Sequence, residues 1–203
     1  ISELCTPIIY GSPKVAAYHR KMLNLNINLN LINKPEEALE KRANIINCCN
    51  DEIKVEVGFS TPQAGDAAFK ALEKATKDLK DGKIDVLVTA PINKNNIQSN
   101  NFSFPGHTEY LESLFGEKGD ALMILANESL RIAVATGHVP VSKISSCLTQ
   151  ENILKKIKQF NKSLVEDFGI FKPRIAVLGL NPHAGDKGVI GKEEEEIIFP
   201  AVK

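Results

Sequence analysis

Apolar residues along the chain fall into short runs of strand length, which predict five β-strands. The runs are 6–12 (TPIIYGS), 53–57 (IKVEV), 84–90 (IDVLVTA), 131–136 (RIAVAT) and 174–180 (RIAVLGL). In the second run apolar and polar residues alternate, which is typical of a strand with one exposed face. The last three runs are continuously apolar, as expected of strands that are covered on both faces.

Stretches with helical spacing lie between several of these runs. The pattern predicts helices over 35–49 and 60–83, and Thr61 or the serine before it can cap the second of them. One face of a further predicted helix carries Ile153, Ile157, Phe160 and Leu164. The four glutamates at 193–196 are interpreted as the acidic first turn of another helix, where they face the positive end of its dipole.

The order of these elements determines the predicted fold class. Strands that alternate with helices favour an α/β fold with a largely parallel sheet. The 203 residues fit one large domain or two small ones. No repeat of fixed period and no low-complexity linker divides the chain.

Composition and charge exclude several classes of partner. Twenty-five basic residues balance twenty-five acidic ones, so no global field attracts nucleic acid or an anionic membrane. No apolar stretch approaches the roughly 18 residues that span a bilayer, and no signal peptide is expected. None of the four cysteines forms a C-x-x-C pair, which argues against a zinc ribbon and favours buried thiols in a reducing cytosol.

Two histidines follow predicted strands, and this placement suggests a metal site. Ligands of open α/β sheets bind outside the carboxyl ends of the strands. His138 lies just after the predicted strand 131–136, and His183 lies just after 174–180. Imidazoles that converge on one point commonly hold a divalent transition metal. The alternative is that each histidine only forms hydrogen bonds within its own loop, and the residues alone leave both interpretations open.

Other candidate residues carry weaker signals. His107 follows a Pro-Gly turn that opens a helix, whereas His19 lies in an ordinary helical stretch and is interpreted as structural. Lys94 either contacts an anionic substrate or is a solvated surface lysine. The glycines of 185–191 (GDKGVIG) lack the spacing of a phosphate-binding loop, and Glu193 stands where Ser or Thr is required. No G-x-G-x-x-G is present, so a Rossmann dinucleotide turn is not predicted.

Four motifs together resemble one enzyme family. The segments VTAPINK (88–94), FPGHTEYL (104–111), ATGHVP (135–140) and GLNPHAGDKGVIGKEE (179–194) match the 4-hydroxythreonine-4-phosphate dehydrogenases, the PdxA family of pyridoxal phosphate biosynthesis, in order and spacing. The resemblance implies a three-layer α/β/α fold similar to isocitrate and isopropylmalate dehydrogenases. It also implies a cytoplasmic homodimer whose active site lies at the subunit interface, with no nucleic acid or membrane partner.

The resemblance further implies an activity and its cofactors. The family oxidises 4-phosphohydroxy-L-threonine with NAD to a 3-keto acid, which decarboxylates to 3-amino-2-oxopropyl phosphate. Carried over to this chain, His107 and Thr108 match the substrate-binding pair. His138 and His183 match two ligands of a divalent metal, which is Zn, Mg or Co. No residue of the chain is identified by the resemblance as a catalytic acid or base or as a contact of NAD.

The chain also departs from the family pattern. Asp186 stands where the family has Glu, and the family's N-terminal GDPAGIGPE segment is not found. The third metal histidine and further substrate-binding Lys, Asn and Arg residues of the family fall beyond Lys203. The expectation is therefore that residues 1–203 are an α/β segment of a longer two-lobe enzyme. Two alternatives are a dehydrogenase of another four-carbon phosphorylated acid, of the phosphothreonate type, and a catalytically inactive metal- or phosphate-binding module.

Overall fold

The structure is a computed structural model that describes residues 3–49, 53–117 and 119–203. The chain divides into two compact units, 1–118 and 119–203.

A three-stranded parallel sheet forms one layer of the first unit. Its strands are β1 (Ile8–Gly11), β2 (Leu29–Ile32) and β3 (Ala43–Asn47), with β3 in the middle. Ile45 of β3 lies opposite Ile9 of β1 and Leu31 of β2, and it is almost completely buried. The central strand is therefore the most buried of the three, as its position between two neighbours requires.

Three α-helices among the described residues and an aromatic core complete the first unit. The helices are α1 (Pro13–Met22), α2 (Pro62–Lys80) and α3 (His107–Phe115). The Thr61 side chain accepts a hydrogen bond from the backbone N–H of Ala64, which caps α2 as the sequence predicts. Buried side chains of α2, α3 and the segment between them pack into one core, which consists of Phe69, Leu72, Ile97, Phe102 and Tyr110.

Among the described residues, the second unit contains a short antiparallel hairpin, two 3-10 turns (Val141–Lys143 and Ala184–Asp186) and four helical segments of four or more residues. The hairpin pairs β4 (Ile124–Ala126) with β5 (Arg131–Ala133). The helical segments are α4 (Ile144–Cys147), α5 (Gln150–Glu166), a π-helical turn (Glu194–Ile198) and α6 (Phe199–Val202). Leu148, Ile153, Ile198 and Ala201 form the buried cluster that joins α5 to the last two segments. None of the helices among the described residues has the length and apolar character needed to cross a membrane.

The α/β class with a parallel sheet is confirmed, together with most of the helices. The helix over 60–83, the apolar face around Ile153 and the helix after the glutamates all form. The helix predicted over 35–49 is wrong, because only Pro35–Glu37 form a helical turn and 43–47 are the central strand β3. In residues 43–47, pairing with two neighbouring strands overrides the predicted continuation of the helix.

Three of the five strand predictions are also wrong. Residues 53–57, 84–90 and 174–180 form no strand in the part of the chain that the structure describes. Their apolar side chains are correspondingly exposed, with Val88 at 89% and Leu178 at 85% of full exposure. A continuous apolar run becomes a strand only where neighbouring strands satisfy its backbone groups, and none of the described strands pairs with these runs.

A buried carboxylate joins the first sheet to α2. The carboxylate of Asp78 is fully buried; its Oδ2 atom accepts a 3.0 Å hydrogen bond from Tyr10 Oη, and its Oδ1 atom lies 3.5 Å from Lys74 Nζ and 3.6 Å from Lys83 Nζ. Burial, followed by the hydrogen bond to Asp78, raises the pKa of Tyr10 above its usual range. The neutral phenol is therefore the form that the folded protein favours.

We expect Tyr10→Phe to lower the free energy of unfolding by about 1–2 kcal/mol, because it leaves a buried carboxylate oxygen without its donor. Folding raises the pKa of Tyr10, so the protonated phenol stabilises the folded protein fully at pH values below the unfolded-state pKa of about 10. This stabilisation declines as the pH rises above that value. Denaturant unfolding of both proteins between pH 8 and pH 11 measures both effects. The matched control is Tyr18→Phe, at an exposed site on α1, where a change as large as that of Tyr10→Phe would contradict this explanation.

Candidate functional site

In the first unit, a turn at residues 93–98 is anchored on the start of α2. Asn93 Nδ2 donates to Ser60 Oγ at 3.2 Å, and Asn96 Nδ2 donates to the carbonyl of Thr61 at 3.1 Å. The backbone of the turn also touches Gly65 directly, since a Cβ built on Gly65 would lie only 1.9 Å from the carbonyl oxygen of Asn96. The turn therefore has a fixed position on the helix.

This turn brings Lys94 to the start of α3. A Cβ built on Gly106 would lie 3.9 Å from Lys94 Nζ, and Gly106 precedes the first residue of α3, His107. Gly106 offers no side chain to cap the helix, and the carboxylate of Glu109 lies in the first turn of α3, with its Oε2 3.6 Å from the position of a Gly106 Cβ. The sequence left open whether Lys94 is a solvated lysine or a binding residue, and the structure places it beside the predicted substrate-binding pair.

The environment of His107 favours its neutral form. Burial, and then the positive charge of Lys94, lower the pKa of this half-buried imidazole. Thr108 follows it in the first turn of α3 and is exposed. A neutral imidazole, an ammonium group and the N-terminus of a helix are together suited to hydrogen-bonding an anionic, hydroxylated molecule.

In the second unit, the two predicted metal ligands lie on irregular segments. His138 lies five residues beyond the end of β5, is exposed, and has a left-handed backbone with φ of 54°. His183 lies in a loop after the apolar run 174–180, and its backbone N–H donates to Asn181 Oδ1 at 2.9 Å. His138 therefore follows a strand, β5, as predicted, whereas residues 174–180, which precede His183, do not form a strand.

The loop at residues 181–191, hereafter the histidine loop, is built around a buried glutamate that the sequence interpretation missed. Glu194 was expected in the acidic first turn of a helix, yet it is 1% exposed and its Oε1 accepts from the Asn181 N–H at 2.7 Å. A signal for its burial was present, because Ile198 and Ala201 follow at four and seven residues and share its helical face.

The described residues offer only part of a ligand set for a metal. Imidazole nitrogens are suitable ligands for Zn or Co. Among the residues that the structure describes, no group of three or more His, Cys, Asp or Glu side chains is arranged to hold a metal ion. His138 and His183 fit as two ligands by type, and the convergence of their side chains stays a prediction.

Comparisons with known proteins agree on one family. The profile of the pyridoxal phosphate biosynthetic protein PdxA matches residues 3–203. The 4-hydroxythreonine-4-phosphate dehydrogenase of Bacteroides thetaiotaomicron is 55% identical over 99% of the chain and 55% of its own length. A putative D-threonate 4-phosphate dehydrogenase of Clostridium botulinum is 33% identical over 100% of the chain and 61% of its own length.

A solved structure extends the agreement to the fold. The crystal structure of the 4-hydroxythreonine-4-phosphate dehydrogenase of Klebsiella pneumoniae superposes with a TM-score of 0.81 at 33% identity, over 96% of this chain and 60% of that one. The chain thus spans somewhat more than half the length of each of these relatives.

Proposed function

Because this chain belongs to the family of the pyridoxal phosphate biosynthetic protein PdxA, we propose that the protein is a 4-hydroxythreonine-4-phosphate dehydrogenase. In the proposed reaction, 4-phosphohydroxy-L-threonine transfers a hydride from its secondary alcohol to NAD and releases the hydroxyl proton. The resulting 3-keto acid loses carbon dioxide and gives 3-amino-2-oxopropyl phosphate. The observation that carries the proposal is the 55% identity to a dehydrogenase of that name over 99% of the chain.

The proposal assigns separate roles to residues of each unit. His107 and Thr108 bind polar groups of the substrate at the start of α3, where the neutral imidazole can donate or accept a hydrogen bond. Lys94 adds a positive charge for an anionic group beside them. His138 and His183 are two ligands of a divalent metal, Zn, Mg or Co, which when bound supplies Lewis acidity at the reacting oxygen.

The setting of the reaction is part of the proposal as well. We place the enzyme in the cytoplasm as a homodimer with its site at the subunit interface.

A second candidate activity is the oxidation of D-threonate 4-phosphate, which the relative from Clostridium botulinum favours because it matches the whole chain. An inactive metal- or phosphate-binding module is the remaining alternative.

The direct test measures NAD reduction by the protein's full chain in the presence of a divalent metal. Each of the two phosphorylated substrates is tested in turn. Turnover that is faster on 4-phosphohydroxy-L-threonine supports the proposal. Faster turnover on D-threonate 4-phosphate assigns the second activity. The absence of NAD reduction with both substrates, in a folded and metal-loaded protein, identifies an inactive module.

We expect His107→Ala to reduce turnover by about 10–100-fold, because a hydrogen bond that positions the substrate is lost, while the metal content stays near that of the wild type. The matched control is His19→Ala, which removes an imidazole from α1 that belongs to none of the four family motifs. Steady-state kinetics and metal analysis of the three proteins provide the measurement. Loss of stoichiometric metal from folded His107→Ala would instead make His107 a metal ligand.

A further inference from the structure

We propose that Glu194 is a positioning residue that holds the histidine loop in the conformation that presents His183. The proposal deepens the proposed function, since it rests on His183 being a metal ligand. It begins with the chemistry of the Glu194 side chain, which is a carboxylate with 1% exposure at the start of a helical segment whose other buried residues, Ile198 and Ala201, are apolar. A buried carboxylate costs desolvation free energy, so an apolar residue would stabilise the packing of this helix better.

The hydrogen bonds of this carboxylate lead directly into the histidine loop. Glu194 Oε1 accepts from the backbone N–H of Asn181 at 2.7 Å, which is the short distance typical of a bond to a charged acceptor. Asn181 Oδ1 then accepts from the backbone N–H of His183 at 2.9 Å, and Asn181 Nδ2 donates to the carbonyl of Ile190 at 3.2 Å. Through one asparagine, Glu194 therefore fixes both His183 and the far side of the loop.

The loop needs such an anchor because its backbone is strained. Ala184, Asp186 and Lys187 all have positive φ angles, between 45° and 56°, although none of them is glycine. Each non-glycine residue in this region costs on the order of 1 kcal/mol or more. Three such residues next to His183 keep this backbone conformation only where other interactions stabilise it. The hydrogen bonds of Asn181 provide such interactions at the start of the loop.

The second carboxylate oxygen supports the same role. Glu194 Oε2 is buried and has no hydrogen-bond partner among the described residues. The carboxylate lies against two glycines of the histidine-bearing segment, because a Cβ on Gly179 would lie 3.3 Å from Oε1 and one on Gly185 would lie 3.6 Å from Oε2. The main chain on both sides of His183 thus lies close to the carboxylate. The Glu194 carboxylate therefore interacts with the histidine loop rather than with solvent.

The test compares three variants of the full chain. Glu194→Ala removes the acceptor, Glu194→Gln retains an amide oxygen that can accept from Asn181, and Glu195→Ala removes the exposed neighbouring carboxylate as the matched control. Two properties are measured in each protein. One is the affinity for Co²⁺ with no substrate present, followed by the visible absorption of the bound ion, and the other is amide hydrogen exchange within residues 181–191.

We expect Glu194→Ala to weaken Co²⁺ binding by about 10–100-fold, which is the typical effect of losing an outer-shell partner of a metal ligand. Exchange of the Ala184 and Ile190 amides, which bond within the loop, should become faster in the same variant. Glu194→Gln should recover most of the affinity, and Glu195→Ala should behave as the wild type. The recovery by Gln separates positioning from general destabilisation, because both Glu194 variants remove the buried charge.

Three results would overturn the inference in distinguishable ways. If His183→Ala abolishes Co²⁺ binding while Glu194→Ala binds it as tightly as the wild type, the proposed function stands and the role of Glu194 is wrong. If the wild type and His183→Ala bind Co²⁺ equally, His183 is not a ligand, and the metal site and the inference fail together. If Glu194→Ala does not fold, Glu194→Gln decides, since a 10-fold loss in that folded variant also contradicts the proposal.

Discussion

Gly65→Ala is expected to lower the free energy of unfolding by about 3 kcal/mol, although helix propensity alone favours this change by about 1 kcal/mol. Gly65 lies inside α2, where alanine is the better helix former. Its Cβ, however, would lie 1.9 Å from the carbonyl oxygen and 2.5 Å from the carbonyl carbon of Asn96, and both of these are backbone atoms. No rotamer change relieves such a contact, so the turn at 93–98 or the helix itself must move.

The size of the effect follows from the buried side chain that the turn places in the core. Ile97, the residue after Asn96, is 1% exposed and packs in the aromatic core with Phe69 and Phe102. A displaced turn draws this side chain away from the core and breaks the bond from Asn96 Nδ2 to Thr61. Overpacking and lost burial together exceed the gain in propensity.

Denaturant unfolding of Gly65→Ala and Gly11→Ala tests this prediction. Gly11, at the end of β1, has no atom within 4 Å of the position that its Cβ would occupy, so its replacement should change stability by less than about 1 kcal/mol. A Gly65→Ala protein as stable as the wild type, or more stable, would show that α2 and the turn are not in contact as described.

The comparison of α2 with β3 shows which parts of the fold the sequence predicts. Helix α2 is recognised from local signals, because Thr61 caps its start and its apolar stripe has helical spacing. Strand β3 is missed because its state depends on pairing with β1, more than thirty residues earlier, and with β2. Non-local pairing of this kind leaves no periodic signal in a five-residue segment.

The same distinction applies to the candidate site. His107 at the start of α3 was predicted, because a Pro-Gly turn before a helical pattern is a local feature. The approach of Lys94 to Gly106 was not predicted, since it depends on the contact of the 93–98 turn with Gly65. Glu194 was predicted in the acidic first turn of a helix, and its burial was missed, although its spacing to Ile198 and Ala201 indicates burial.

The second large effect is expected for Gly185→Ala, which should weaken Co²⁺ binding to the full chain by at least about 100-fold if His183 is a ligand. Gly185 has a φ of 73°, and its Cβ would lie 2.3 Å from the carbonyl oxygen of Gly191. The Gly185 carbonyl also accepts from the Ile190 N–H at 3.0 Å, so the two sides of the histidine loop meet at this residue. A methyl group here forces the loop open and displaces His183, two residues away.

Gly188→Ala separates this close approach from backbone strain. Gly188 lies in the same loop with a φ of 86°, so its replacement has a similar conformational cost of about 1–2 kcal/mol. The nearest atom to its Cβ would be Lys192 Cγ at 3.8 Å, which is an ordinary van der Waals contact with a flexible side chain. Parallel Co²⁺ titrations should therefore show a loss of less than about 10-fold for Gly188→Ala. Equal losses in the two variants would mean that strain alone governs the loop, and that the contact between Gly185 and Gly191 does not determine where His183 lies.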